Sequence, residues 1–204
     1  MAVRYYTDDC GYRLPQKRLT ARWLRGVAAA EGYELGDVSY IFCSARRLLE
    51  MNRQYLGHDY YTDVITFDYS DRRGRHVVSG DIFIDVETVR DNARLYGTRP
   101  LEEMRRVVVH GVLHLCGQGD KTPRTNAQMH RKEDRYLRFW TTAEGGDGAD
   151  ASPADAASGA RKSGSRRSGV VKSRQKGHSG GVLTAERPPM EGESARPEKP
   201  AQKG

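Results

Sequence analysis

The aromatic residues are confined to one part of this 204-residue chain, and this confinement sets how much of it can fold. All eleven tyrosines, all four phenylalanines and both tryptophans lie within residues 1–141. About 140 residues are enough for a hydrophobic core without disulfide bonds. Residues 142–204 are rich in glycine, serine, alanine, proline and charge, and cannot bury enough apolar surface to offset the entropy of ordering. We therefore predict one domain over residues 1–141 and a disordered, low-complexity basic tail over residues 142–204.

Hydrophobic periodicity within residues 1–141 predicts a mixture of strands and helices. Runs rich in β-branched and aromatic residues indicate strands, and apolar residues three to four positions apart indicate helices. A charged turn at 71–75 predicts a hairpin, and Gly80 in its return strand suggests a bulge or a close backbone approach. The predicted order is strand 3–6, helix 15–32, strand 38–43, helix 45–55, strands 63–68 and 77–85, and helices 86–96, 100–116 and 123–140. This order predicts an α+β domain in which helices cover a small mixed sheet.

The strongest chemical signal is a pair of histidines in an apolar run. His110 and His114 are four residues apart, so both imidazoles point to the same side of a helix. Gly117 and Gly119 end that helix, and the chain can then fold back to present Asp120. Two imidazoles and one carboxylate are a ligand set for a first-row metal, with a position left for water. The histidine pair alone has a structural explanation too, because an imidazole can bond a backbone carbonyl or pack in the core.

The residue after the first histidine separates two classes of metal hydrolase. Helical metalloproteases have a glutamate there, which acts as the general base. This chain has Gly111 instead. A peptidase would need another acid, such as Glu103 or Glu133, and is therefore the less favoured alternative. We interpret Gly111 as leaving room for a bulky substrate beside the metal.

Several other polar residues are predicted to have structural roles. Asp63 and Asp81 are interpreted as turn caps and strand-end acceptors, and Asp81 is also a candidate for supporting a metal ligand from behind. Cys116 lies about 200° around the helix from His114 and points away from the metal. The three cysteines fit no disulfide pattern and are predicted to be reduced thiols. His130 is predicted to lie on the surface of the last helix.

The charge balance favours an anionic partner. The formal net charge is +7 and the pI is near 9.4, which is compatible with nucleic-acid binding. Basic residues of the tail concentrate between Arg161 and Lys176, which indicates either an RNA-binding arm or a solvated segment without that role. The N-terminus lacks the apolar stretch of a secretion signal, and no run approaches the roughly 20 apolar residues of a membrane span. We therefore expect a cytoplasmic protein with no membrane association.

Three stretches together resemble the YbeY family, bacterial metal-dependent endoribonucleases that act on single-stranded RNA in ribosomal RNA maturation. The sequence HGVLHLCG at 110–117, followed by Asp120, is similar to the family's signature. Residues 62–67, TDVITF, are similar to its Thr-(Asp/Asn)-Val-Leu-Ser-Phe stretch, and residues 80–82 to its Gly-Asp-Ile strand. The resemblance extends over residues 1 to about 141, and the combination is more specific than the histidine motif alone.

The resemblance implies a zinc-dependent endoribonuclease whose fold places a small sheet beside a metal-carrying helix. It implies one Zn²⁺ ion held by His110, His114 and Asp120, with His114 and Asp120 as catalytic residues. The implied substrate is single-stranded precursor ribosomal RNA, including the 3′ end of 16S RNA. The implied partner is the small ribosomal subunit, with a further role in ribosome quality control.

The chain departs from the family's pattern at two positions. Asp120 stands where the third ligand is usually histidine, and a carboxylate there lowers the net charge of the site by one unit, so a bound water should be less acidic. Leu56 stands where the family usually has an arginine thought to help catalysis. His58, Lys121 or Arg124 are candidates to supply that positive charge. Leu56 also motivates an alternative function, a mainly non-catalytic ribosome-assembly factor whose metal is structural.

Overall fold

The computed structural model describes residues 1–70, 76–144 and 181–183, with side chains described up to residue 140. The elements are β1 Val3–Thr7, α1 Lys17–Ala30, β2 Glu34–Cys43, α2 Ala45–Met51, a π-helical turn Asn52–Leu56, β3 Val64–Asp68, β4 Val77–Asp85, α3 Val86–Tyr96, α4 Pro100–Leu115, α5 Pro123–Glu144 and β5 Gly181–Leu183. The predicted turn at 71–75 and all of the predicted disordered tail except 142–144 and 181–183 lie outside the described residues.

The five strands form one sheet in the order β1-β2-β4-β3-β5. β3 and β4 pair antiparallel, as the predicted hairpin requires, while β1 with β2, β2 with β4 and β3 with β5 are parallel. The prediction of an α+β fold with a small mixed sheet is therefore confirmed. β5 comes from the segment predicted to be a tail and pairs with β3 through three residue pairs.

The sheet separates two hydrophobic clusters because successive side chains of a strand point to opposite faces. Tyr40 and Phe42 of β2 face the larger cluster, which also includes apolar residues of α1, α3, α4 and α5. Ile41 and Cys43 face a smaller cluster, to which α2 contributes Leu48 and Met51. The domain is thus helix-covered on both faces, with α4 and α5 on one and α2 on the other.

Gly80 permits the closest packing between α4 and the sheet. A Cβ atom at this position would collide with the carbonyl oxygen of Phe67 and would lie 2.8 Å from Leu115 Cδ2. The register between β2 and β4 also shifts between Leu35 and Val38, opposite this glycine. The predicted close backbone approach at Gly80 is confirmed, and it brings the C-terminal end of α4 against β3 and β4.

The remaining features of the sequence fit this domain. Cys43 and Cys116 are buried free thiols and Cys10 is a half-buried one, as predicted. Within the described ranges, no helix combines the length and the apolar character needed to cross a bilayer.

Candidate metal centre

Helix α4 and the turn after it place the three predicted ligands. Pro100 begins the helix at a position where the missing N–H costs nothing. The helix ends in a Schellman motif: the N–H of Gly117, whose φ is 84°, donates to the carbonyl of His114, and the N–H of Gln118 donates to that of Leu113. This turn reverses the chain and brings Asp120 back over the last turn of α4.

The three side chains converge on one point. The potential ligand atoms of His110, His114 and Asp120 all lie within 4.8 Å of one another. Asp120 Oδ2 is 3.8 Å from His110 Nε2 and 3.6 Å from His114 Nε2. All three atoms are buried and have no hydrogen-bond partner among the described residues. Three buried, unpartnered atoms at one point are what a bound cation would satisfy.

Each histidine is oriented through its other ring nitrogen. His110 Nδ1 is 2.8 Å from Glu133 Oε1, and His114 Nδ1 is 2.8 Å from the carbonyl oxygen of Gln118. Because both partners accept hydrogen bonds, each Nδ1 carries the proton and each Nε2 presents a lone pair. Hydrogen bonds of this kind fix the tautomer and ring plane of metal-binding histidines. The cluster could therefore bind a metal ion with both imidazoles already in the required tautomer.

The electrostatics of the two histidines differ. Burial lowers the pKa of His110, but the hydrogen bond to Glu133 and the charges of Glu133, Asp63 and Asp120 outweigh it, so the pKa is raised. Burial also lowers the pKa of His114, and Asp120 only partly offsets it, so that pKa stays below its usual value. The site therefore contains one carboxylate ligand and one imidazole that is readily available as a neutral ligand.

Glu133 is the main residue of the site whose role the sequence did not reveal. It is buried on α5, and its carboxylate bonds His110, His130 Nδ1 at 3.1 Å and Arg106 at 3.2 Å. Burial raises the pKa of Glu133, but its bonds to the two histidines hold the pKa well below the usual range. A signal was present: Glu133 interrupts the apolar stripe of α5 between Met129 and Tyr136. A carboxylate in such a stripe needs a buried partner.

Gly111 has a different role from the one predicted. A Cβ atom there would lie 2.7 Å from Ile82 Cγ2 and 3.0 Å from Ile82 Cδ1. The space beside Gly111 is therefore filled by β4, and the prediction that it leaves room for a substrate is wrong. The glycine instead lets α4 pack closely against the sheet.

The other predicted polar residues have mixed outcomes. Asp63 precedes β3, as expected for a strand-end residue, but its charge also acts on His110. Asp81 is buried in the middle of β4, paired with Ser39 and Phe67, and is not a strand-end residue. His130 is partly exposed, with 27% of its side chain accessible, and its Nδ1 bonds Glu133 from the surface.

Leu56 lies away from α4. It packs against the smaller cluster, which is on the opposite face of the sheet from the metal-binding helix. His58 is exposed, stacks on Tyr60 and bonds its hydroxyl at 3.1 Å. Lys121 and Arg124 are exposed in the segment that follows Asp120. Among these candidates, the two exposed cations after Asp120 lie nearest in sequence to a ligand.

Comparisons with known proteins agree with this arrangement. The family model described as Endoribonuclease YbeY matches residues 12–141. A protein named Endoribonuclease YbeY from Parabacteroides distasonis is 47% identical over 137 residues, covering 67% of this chain and 94% of that protein. One of the same name from Bacteroides thetaiotaomicron is 48% identical over 141 residues, covering 67% and 98%. The solution structure of TM1509 from Thermotoga maritima shares the fold, with a TM-score of 0.51, 24% identity, and coverage of 79% of this chain and 100% of that one.

Proposed function

This chain belongs to the YbeY family of endoribonucleases, and we propose that it is a zinc-dependent enzyme that cleaves single-stranded RNA in ribosomal RNA maturation. The observation that supports zinc dependence is that three buried acceptor atoms without hydrogen-bond partners lie close together. They belong to His110, His114 and Asp120. A nuclease needs positive charge at the scissile phosphate, and a divalent cation held by these atoms would supply it.

The donor set suits zinc. Two imidazole nitrogens and one carboxylate oxygen are ligands that zinc accepts in catalytic sites, which leave a further position open. Two neutral imidazoles and one carboxylate give the ligands a net charge of about −1, which favours a divalent cation. A zinc ion bound here would lower the pKa of a water molecule and polarise a phosphoryl oxygen.

The protein's own residues prepare the site. Glu133 holds the proton of His110 on Nδ1, and the Gln118 carbonyl does the same for His114, so that both Nε2 atoms stay unprotonated. Asp120 supplies the negative charge from a turn rather than from the helix. His114 and Asp120 are proposed as both metal ligands and catalytic residues, as the family resemblance implies.

The proposed substrate is precursor ribosomal RNA. The net charge of +7 supports binding of a polyanion. Within this proposal the cleaved region includes the 3′ end of 16S RNA, the partner is the small ribosomal subunit, and the enzyme acts in the cytoplasm and contributes to ribosome quality control. An unpaired strand fits the chemistry, because in-line attack needs a flexible phosphodiester.

A second candidate function is ribosome assembly with a mainly structural metal, and Leu56 favours it. Its side chain contributes to the smaller hydrophobic cluster and carries no charge. A chain without a cation at that position would bind RNA through the rest of its surface and cleave slowly. Leu56→Arg separates the two functions: a large gain in cleavage rate would show that the native chain is catalytically reduced.

The peptidase alternative has little support. Glu133 bonds the outer nitrogen of His110, so it lies behind the ligand and cannot act as a base in front of it. Glu103 bonds the hydroxyl of Thr98 at 3.2 Å and lies two helical turns before His110. Neither acid is in the position that a metallopeptidase base requires. Peptide cleavage that tracked zinc content would revive this alternative.

The test combines metal analysis with an RNA cleavage assay on the same preparations. We expect close to one zinc ion per chain in the native protein, and cleavage of single-stranded but not duplex RNA in proportion to the zinc content. His114→Ala should lose metal and cleavage together. His76→Ala is the matched control, because His76 is an exposed histidine outside the site. Metal-free protein that cleaved RNA as fast as the zinc-loaded protein would overturn the proposal.

A further inference from the structure

A second cavity lies beside the N-terminal half of α4 and the C-terminal half of α5. Its volume is about 650 Å³, within the range of pockets that hold small organic ligands. Four arginines contribute to its wall, namely Arg99, Arg105, Arg106 and Arg138. Leu101, Leu137 and Trp140 form its apolar part. The cavity thus combines positive charge with a flat aromatic and aliphatic surface.

Two buried donors on this wall lack a hydrogen-bond acceptor, and one of them, Arg106 Nε, has an ion-pair partner in Glu103 Oε2 at 3.8 Å. Trp140 Nε1 and Arg106 Nε are buried and find no hydrogen-bond partner among the described residues. The other tryptophan provides a contrast, because Trp23 Nε1 donates to the carbonyl oxygen of Tyr136 at 3.1 Å. Both groups can only donate hydrogen bonds. An unpaired buried donor is costly, and a ligand with acceptor oxygens would relieve that cost.

The charge of the wall favours an anion. Glu102 and Asp134 are its two acidic residues, and Asp134 already bonds Arg106 at 2.7 Å. Arg106 is also paired with Glu133 and Glu103, so the positive charge of the wall rests on Arg99, Arg105 and Arg138 against Glu102. The guanidinium of Arg105 lies 4.2 Å from the centre of the Trp140 ring. An entering anion would draw this flexible side chain towards itself and uncover the face of the indole ring.

We propose that this cavity binds a nucleotide, with the phosphate held by the arginines and the indole N–H and the base packed on Leu101 and Leu137. Phosphates are preferred partners of guanidinium groups, and bases pack well on aromatic and aliphatic surfaces. The nucleotide has two possible sources, a free mononucleotide or one residue of an RNA strand. Only the second source rests on the function proposed above.

The cavity is separate from the metal centre although the two share α4. Leu101 and His110 are nine residues apart, about 14 Å along the helix axis. Arg106 connects them, because it lines the cavity and also bonds Glu133, the partner of His110. An RNA strand that placed one nucleotide in the cavity would therefore be held at a distance from the atoms that cleave it.

The experiment is calorimetric titration of the full-length protein with adenosine 5′-monophosphate. The cavity variant is Arg105→Gln combined with Arg138→Gln, and Trp140→Phe keeps an aromatic ring but removes the N–H donor and part of the ring. The matched control is Arg46→Gln combined with Arg94→Gln, which removes the same charge from exposed arginines elsewhere. Circular dichroism checks that each variant is folded, and Arg138→Gln alone replaces the double variant if that one is unfolded.

We expect one saturable site per chain, weakened roughly tenfold or more in the cavity variant and unchanged in the control, since each lost hydrogen bond to a charged group is worth about 1.5–3 kcal/mol. Trp140→Phe should weaken binding severalfold, and inorganic phosphate should compete. Absence of saturable binding of either probe, or equal loss in the control variant, would overturn the proposal.

A short single-stranded RNA separates the two sources. Displacement of the mononucleotide by this RNA assigns the cavity to an RNA strand, and no displacement assigns it to free nucleotides. The titration is repeated with His114→Ala, which should bind the mononucleotide normally. Failure of RNA cleavage and failure of nucleotide binding are therefore distinguishable.

Discussion

Two regions that border α4, the metal centre and the arginine-lined cavity, show opposite kinds of incomplete hydrogen bonding. In the C-terminal half, the metal centre leaves buried acceptors without donors: His110 Nε2, His114 Nε2 and Asp120 Oδ2. Beside the N-terminal half, the arginine-lined cavity leaves buried donors without a hydrogen-bond acceptor: Arg106 Nε of α4 and Trp140 Nε1 of α5. Acceptors at one point indicate a cation, and donors around a cavity indicate an anion. Residues of the same helix thus contribute to a candidate cation site and to a candidate phosphate site.

The support behind each region differs as well. The ligands of the metal centre are held by hydrogen bonds to Glu133 and Gln118 on both sides, so the site is rigid before any metal binds. The cavity relies on arginine side chains, which have many rotamers and lose entropy when they are ordered. We therefore expect a single substitution to reduce metal affinity at the metal centre more than it reduces nucleotide affinity at the cavity.

The largest effect is expected from His110→Ala. This change removes a ligand and also leaves Glu133 buried with only Arg106 and His130 as partners. Metal affinity should fall by more than roughly 100-fold, and stability by about 3 kcal/mol, at the low end for a broken buried pair because two partners remain. Metal analysis and thermal denaturation measure the two losses. A stable, metal-loaded His110→Ala protein would show that the metal centre does not depend on this ligand and is not the more sensitive of the two regions.

Glu133→Gln should have the next largest effect. The amide oxygen of glutamine can still accept a hydrogen bond from His110 Nδ1–H but carries no charge, so metal affinity should fall about 10- to 100-fold. Asp134→Asn is the matched control, because Asp134 also bonds Arg106, whereas the partner of His110 is Glu133. Competition with a chelator measures both affinities. Equal losses in the two variants would mean that the effect passes through Arg106 and not through His110.

Gly111→Ala tests whether the close packing of α4 on β4 is rigid. The added methyl group would press against Ile82, which costs about 1–3 kcal/mol when a packed core cannot relax. The melting temperature should fall by several degrees. A second change, Ile82→Val, should recover part of the loss because it removes one of the close carbon atoms. If Gly111→Ala left stability unchanged, the close packing of α4 on β4 would not be rigid.

Asp120→His is expected to have the smallest effect. It replaces the carboxylate by the residue that usually provides the third ligand in similar chains, so one zinc ion per chain should remain and affinity should change by less than about tenfold. Asp120→Ala, which removes the ligand atom, should lose far more. Metal content and chelator competition distinguish these outcomes. Loss of metal in both variants would show that the turn cannot accommodate an imidazole.

Sequence alone determined the local features of this protein. The spacing of His110 and His114, the glycines after them and Asp120 predicted that the three side chains converge, because the geometry of one helix and one turn depends only on nearby residues. The bounds of α3 and β4 were predicted for the same reason. The close approach at Gly80 was also visible, since a glycine inside a strand pattern is a local signal.

Only the tertiary structure decided which distant groups meet. The partner of His110 is Glu133, 23 residues away on another helix, and no local pattern states that the two helices pack with these positions in contact. Gly111 was interpreted as space for a substrate, but Ile82 of β4 fills that space. Leu56 was interpreted through the family resemblance as a missing catalytic cation, whereas packing of the π-helical turn places it against the smaller cluster. Packing between elements depends on all of their side chains together, so these contacts appear only when the chain is folded.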